Sequence, residues 1–257
     1  MSRIQELFLR KEKNILNVYC TAGFPALNST VPVMSALQRA GADMIELGMP
    51  YSDPLADGPV IQSSSSAALA NGMTLARLFQ QLNDFRKEIQ VPVLLMGYMN
   101  PILQYGFDRF CRDAAAAGID GLILPDLPMF EFEKEYGPEI RRHKLDFVFL
   151  VTPETSEERI RKLDALSTGF LYAVSSSSTT GKNKELSDQS AYFSRLQAMK
   201  LSNPVLIGFG IKDRESFHKA CSYAKGAIIG TAYIKALDGA APEEIESRTK
   251  NFLNTLK

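Results

Sequence analysis

Short β-type apolar runs alternate with amphipathic segments from one end of the chain to the other. The strand-type runs are Ile15–Cys20, Met44–Gly48, Val91–Gly97, Gly121–Leu124, Phe147–Val151, Gly169–Val174, Pro204–Phe209 and Gly226–Gly230. Between them, helical periodicity covers Val31–Ala40, Leu75–Ile89, Phe107–Ala117, Phe132–His143, Glu157–Leu166, Ser190–Met199 and Arg214–Tyr223. A last helix begins near Pro242 and ends with Phe252 and Leu256, and Ile4–Arg10 predicts an extra helix before the first strand. Strands that each lead into a helix predict a parallel sheet. Eight such units in 257 residues fit a closed (β/α)₈ TIM barrel. No low-complexity linker interrupts the alternation, so residues 1–257 are expected to form a single domain. A doubly wound open sheet is the competing topology.

One strand carries a residue that packing does not explain. Glu46 lies within Met44-Ile45-Glu46-Leu47-Gly48, where alternation puts Met44, Glu46 and Gly48 on one side and Ile45 and Leu47 on the other. Burial disfavours the charged form of a carboxyl and raises its pKa, which suits a general acid near neutral pH. Asp57 stands eleven positions on, in a loop punctuated by Pro50, Pro54, Gly58 and Pro59, and is expected to stay wetter and ionised. Two carboxyls whose surroundings push their pKa values apart can divide acid and base roles.

A barrel places chemistry at the C-terminal ends of its strands. The loops there that are rich in Gly, Pro, Ser and Thr follow the second strand (Pro50–Gln62) and the sixth (Ser175–Gly181), and both are long enough to act as lids. The seventh strand ends in Gly208-Phe209-Gly210-Ile211 and the eighth runs Gly226-Ala227-Ile228-Ile229-Gly230-Thr231-Ala232. Glycines there let backbone N–H groups approach an anion, and a short helix after the eighth strand would add unpaired donors. The same glycines also fit tight turns with no ligand.

Composition narrows the function classes. Lys plus Arg and Asp plus Glu both number 29, so no basic field favours nucleic acid or an anionic membrane. The N-terminal MSRIQELFLRKEKN is charged and amphipathic and lacks the apolar core of a signal peptide, and no apolar run is long enough to span a bilayer. Cys20, Cys111 and Cys221 are scattered and odd in number, so they read as reduced thiols of a cytoplasmic protein. His143 and His218 fall on outer helices with no second histidine or cysteine at ligand spacing, so no metal site is expected. The Ser63–Ser66 run is expected to open a helix and supply its caps, and the charge clusters Glu131–Glu135 and Arg141–Lys144 read as solvated faces. No Ser-His-Asp order, P-loop or dinucleotide fingerprint supports acyl transfer or nucleotide chemistry.

The block IELGMPYSDPLADGPVIQ at Ile45–Gln62 closely resembles the signature of the tryptophan synthase alpha subunit family. Matches continue in order through YCTAGFP (Tyr19–Pro25), MGYMNP (Met96–Pro101), GLILPDLP (Gly121–Pro128), the Ser175–Gly181 loop, GFGI and GAIIGTA, so the resemblance covers nearly the whole chain. It implies a lyase of tryptophan biosynthesis that cleaves indole-3-glycerol phosphate to indole and glyceraldehyde 3-phosphate by a retro-aldol step, with no cofactor of its own. It implies catalytic roles for Glu46 and Asp57, with Glu46 shuttling protons and Asp57 accepting a hydrogen bond from the ring N–H. Tyr19, Met96, Leu150, Tyr172 and Phe209 match positions that line the family's indole site, although each also fits plain barrel core. Thr180 and Gly181 match the end of the mobile loop, and Gly181, Gly208, Gly210, Gly230 and Thr231 match phosphate-binding positions.

The resemblance further implies a pyridoxal-phosphate-dependent beta subunit that consumes indole in an alpha2-beta2 tetramer, with Pro50, Asp53 and Pro54 at the contact. Two departures stand out. Ser176 replaces an arginine and Ser178 an inner glycine common in the family's loop, and Phe24 stands where an acidic residue is common. Two other readings fit the pattern less well: a barrel without turnover that only binds and activates its partner, and another sugar-phosphate barrel enzyme. The synthase version of the latter needs a strand-end lysine, whereas Lys182 and Lys184 occur only in a loop.

Overall fold

The computed structural model describes residues 1–174, 189–208 and 210–256. Nine strand segments form one sheet: β1 (Ile15–Thr21), β2 (Met44–Gly48), β3 (Val93–Met96), β4 (Gly121–Ile123), β5 (Asp146–Phe147), β6 (Phe149–Val151), β7 (Leu171–Val174), β8 (Val205–Gly208) and β9 (Gly226–Ile229). Their order is β5-β4-β3-β2-β1-β9-β8-β7-β6, and every neighbouring pair is parallel. The two ends of that order, β5 and β6, are consecutive in the chain and separated by Val148 alone. The Val148 N–H donates to the Leu122 carbonyl at 3.0 Å, so the sheet meets itself there. The expected fifth strand is therefore one strand with a break, pairing with β4 before Val148 and with β7 after it. This closure excludes the doubly wound open sheet and gives the expected barrel.

The strand segments are buried nearly throughout because the sheet has two apolar neighbours. One set of side chains fills the barrel and the other packs under the helices. In the broken strand, Phe147 and Phe149 point outward and meet Phe132 with ring centroids 4.5 and 4.9 Å away, which sends Leu150 inward beside its register partner Tyr172. The helix Arg3–Arg10 opens with a Ser2/Gln5 capping box and buries Ile4 and Leu7, matching the extra N-terminal helix expected. At the strands' N-terminal ends, Asp120 is buried and accepts bonds from Val93 N (2.7 Å), Arg3 Nη1 (3.0 Å) and the Arg86 guanidinium. Asp43 repeats the device with Leu16 N (2.8 Å) and Lys11 Nζ (2.6 Å).

Most helices fall where periodicity puts them, including Thr30–Ala40, Phe107–Ala117, Glu157–Leu166 and Arg214–Tyr223. Three details differ. The helix Met99–Tyr105 has no counterpart among the expected segments, and the expected Leu75–Ile89 stops as an α-helix at Gln81. The Ser63–Ser66 run does not open its helix; Pro59 does, at the first position of Pro59–Ala70, after Gly58. Ser64 instead faces the barrel, with its Oγ on the Ile61 carbonyl (2.8 Å) and 2.7 Å from Thr21 Oγ1. Among the described residues no helix is long and apolar enough to cross a membrane.

Candidate active site

Register carries Glu46 into the barrel. Glu46 pairs with Tyr19 across β1–β2, so both side chains share the inward face, while Ile45 and Leu47 pack outward. A Cβ on Gly48 would lie 2.0 Å from the Tyr19 hydroxyl, so the glycine is what lets Tyr19 lie across the end of β2. Glu46 is 0% exposed. Its Oε1 accepts from Asn17 Nδ2 at 2.5 Å, and its Oε2 is buried with no hydrogen-bond partner among the described residues. Among the described residues no cation offsets the desolvation. Burial pushes the Glu46 carboxyl up to about 8, against the smaller opposing pull of the Asn17 hydrogen bond.

Asp57 arrives from the loop between β2 and the helix Pro59–Ala70. Tyr98, just beyond β3, donates from its hydroxyl to Asp57 Oδ2 at 3.1 Å and accepts from Ala56 N at 3.0 Å, which ties the loop to the next strand end. Tyr51 stacks on Tyr98 with centroids 5.5 Å apart, and its hydroxyl accepts from Asn100 Nδ2 at 3.0 Å. Asp57 is less buried than Glu46, and burial, opposed by the Tyr98 bond, pushes it only up to about 6. Burial thus raises Glu46 further than Asp57, so the two carboxyls are pushed apart in the direction their sequence surroundings suggest.

Asp57 lines an opening at the C-terminal end of the barrel; Glu46, fully buried on the inward face of β2, is not among the residues that line it. About 460 Å³ of empty space there, counting the solvent at its mouth, is lined by Tyr19, Asp57, Ile61, Met96, Tyr172, Gly210, Ile211, Ile228, Gly230 and Thr231. Seven of the expected site residues are among these. Burial and the charges of Glu46 and Asp57 hold the Tyr172 hydroxyl well above its ordinary pKa, which puts Tyr172 close to both acids. Leu150 is half-buried on the inward face next to Tyr172 without reaching the opening. Gly208 is not among the lining residues, and a Cβ there would clash with the Tyr172 ring, so packing already requires a glycine at that position. Gly210 has a φ of +76°, and Gly230 precedes the helix Thr231–Leu237 without a side-chain cap, leaving that helix's first N–H groups untaken by its own side chains. Phe209, Thr180, Gly181, Ser176 and Ser178 lie outside the described residues.

Sequence reading missed Asn17, Tyr98 and Ile61. Asn17 was visible as the one amide in ILNVYCT, and Tyr98 and Ile61 lie inside motifs already singled out. Of the loop residues expected at a partner contact, Pro54 is buried, Pro50 half-buried and Asp53 exposed, and the prominent apolar side chain is Leu55, 90% exposed. Asp108, Glu139 and His143 bring ligand atoms within 4.8 Å of one another on the outer helices. Arg142 already bridges the two carboxylates there at 2.5 Å each.

A deeply buried acid on one strand, a second acid on the following loop and aromatic walls at the mouth of a parallel barrel define a (β/α)₈ enzyme suited to proton-transfer chemistry. The model of the family described as tryptophan synthase alpha chain matches residues 6–257. The tryptophan synthase alpha chain of Parabacteroides distasonis is 50% identical over 242 residues, 94% of each chain, and that of Phocaeicola vulgatus is 50% identical over 258 residues, covering both chains fully. The crystal structure of tryptophan synthase subunit alpha from Legionella pneumophila superposes with a TM-score of 0.90 at 35% identity, covering 100% of this chain and 97% of that one. A structure of tryptophan synthase from M. tuberculosis gives 0.86 at 32% identity, covering 100% of both chains. The chain belongs to the tryptophan synthase alpha chain family, and it is a carbon–carbon lyase that cleaves indole-3-glycerol phosphate in tryptophan biosynthesis.

Proposed function

We propose that Glu46 and Asp57 divide the proton chemistry of this cleavage. The Glu46 carboxyl gives its proton to the ring carbon that bears the glycerol chain. The ring then carries a positive charge shared with its N–H, and the ionised Asp57 accepts a hydrogen bond from that N–H and stabilises the charge. The Glu46 carboxylate next takes the proton of the hydroxyl on the adjacent side-chain carbon. The C–C electron pair returns to the ring, indole leaves neutral, the side-chain carbon becomes the aldehyde, and Glu46 is protonated again. One residue can serve in both steps because its carboxyl titrates near neutrality, at about 8.

The contrast between Glu46, fully buried on the inward face of β2, and Asp57, at the opening, is the observation that carries this reading. Tyr19, Met96 and Tyr172, with Leu150 behind them and Phe209 and the Thr180–Gly181 segment by family position, are assigned to the indole ring. The phosphate is assigned to N–H groups around Gly210, Gly230 and Thr231, with Gly181 and Gly208 by family position. Indole release by the purified chain, by Glu46→Gln and by Asp57→Asn tests the roles. Each substitution is expected to slow release by roughly 10²–10⁴-fold; wild-type rates in both would overturn the mechanism.

The family works with a beta subunit. We assign this chain a pyridoxal-phosphate-dependent beta partner in an alpha2-beta2 tetramer of the cytoplasm, docked on the loops after β2, β3 and β4. Support comes from three exposed apolar side chains on the segments that follow those strands: Leu55 (90% exposed) in the loop after β2, Leu103 (48%) in the helix Met99–Tyr105 and Phe130 (66%) in the helical turn Met129–Glu131. Pro50, Asp53 and Pro54 shape the first of them. Because that loop also carries Asp57, docking is positioned to alter turnover. Sedimentation of the mixture is expected to give the tetramer, and Leu55→Asp to shift it toward free subunits; an unchanged complex would contradict this contact.

A further inference from the structure

We propose that Asn17 is a positioning residue for the cleavage: it anchors Glu46 by Oε1 and so makes Oε2 the oxygen that carries the transferred proton. This rests on the role given to Glu46 above. Asn17 is the third residue of β1, whose seven residues are all buried. Its register partner is Met44, two residues before Glu46, so its amide reaches Glu46 diagonally from the side away from the mouth. The resulting bond is 2.5 Å between two side chains that are both 0% exposed.

Stability gives no reason for an amide here. Asn17 Oδ1 is itself buried with no hydrogen-bond partner among the described residues, an unfavourable arrangement that an apolar side chain would avoid. What the amide does is break the equivalence of the two carboxyl oxygens. In the ionised form Nδ2 donates to Oε1. In the protonated form Oε1 remains the carbonyl acceptor, the same bond persists, and the proton is directed to Oε2, the oxygen with no other partner among the described residues. The carboxyl therefore keeps one orientation while it gives its proton to the ring carbon and takes one from the hydroxyl. Such pre-set geometry is where orientation acts on rate. The bond also favours the charged form, opposing burial and holding Glu46 within reach of neutral pH.

The variants Asn17→Val and Asn17→Thr have nearly the same shape and both suit a buried strand; only the second offers a hydroxyl. On the full chain, Asn17→Val is expected to lower kcat by roughly 10- to 100-fold at pH 7 with KM little changed. It is also expected to move the alkaline limb of kcat/KM to higher pH, a limb the substrate's phosphate, with its second pKa about 6, does not share. Asn17→Thr is expected to recover part of the rate and return the limb toward the wild-type position. In a Glu46→Gln background, Asn17→Val is expected to cost nothing further.

Equal behaviour of the Val and Thr variants, or the same loss in both backgrounds, would assign Asn17 to packing and overturn the proposal. If Glu46→Gln itself kept the wild-type rate, the role of Glu46 would fall first. If it lost the rate while Asn17→Val kept it, only the inference about Asn17 would fall.

Discussion

Two buried carboxyls at opposite ends of the barrel have been treated in opposite ways. Asp120, at the N-terminal ends of the strands, is satisfied by Val93 N, Arg3 and Arg86. Among the described residues Glu46, near the C-terminal ends, has one amide, no cation and one unpartnered oxygen. The first arrangement fixes strands and the N-terminal helix in place. The second leaves a group poised to exchange a proton. Within one fold, the fully partnered carboxylate marks the end that stabilises and the under-partnered carboxyl the end that reacts.

Removing each group should therefore have opposite effects on stability. Asp120→Ala leaves a half-buried guanidinium and a strand N–H without their acceptor. It is expected to cost about 3–5 kcal/mol by denaturant unfolding while sparing kcat in the fraction that stays folded. Glu46→Gln is expected to stabilise the chain, by roughly 1–3 kcal/mol at pH 7, although it removes activity. Below the ordinary carboxyl range near pH 4.5, folded and unfolded chains both hold the Glu46 proton. Between there and about 8 the folded chain alone holds it, so wild-type stability falls with rising pH across that window. The advantage of Glu46→Gln should accordingly grow from pH 5 to pH 8 and then level. A Glu46→Gln protein less stable than wild type throughout would remove the contrast.

Much of this was legible in the sequence because strand runs and loop punctuation follow from backbone geometry. The strands lie within a few residues of their expected bounds, and Glu46 was conspicuous as the one charge among apolar neighbours. What stayed hidden depends on register. That Asn17 meets Glu46 requires knowing that β1 and β2 are offset so that Asn17 sits beside Met44, and no periodicity encodes that offset. The break at Val148 likewise reflects a strand changing partners, not a change of residue type. The serines at 63–66 misled because small hydroxyl residues suit both helix caps and close packing of a helix on a barrel, and here Ser64 serves the second. At Gly208 the Tyr172 ring takes the space a side chain would fill, a packing demand that the glycine pattern alone does not show.

The protonation of Glu46 can be measured directly. Infrared difference spectra of wild type against Glu46→Gln, followed with pH, isolate the protonated-carboxyl stretch of that one side chain. The account predicts that this band persists through neutrality and disappears with a midpoint near 8. Loss of the band at the ordinary carboxyl pKa, about 4.3, would show that Glu46 rests ionised at neutral pH and would contradict the division of roles with Asp57.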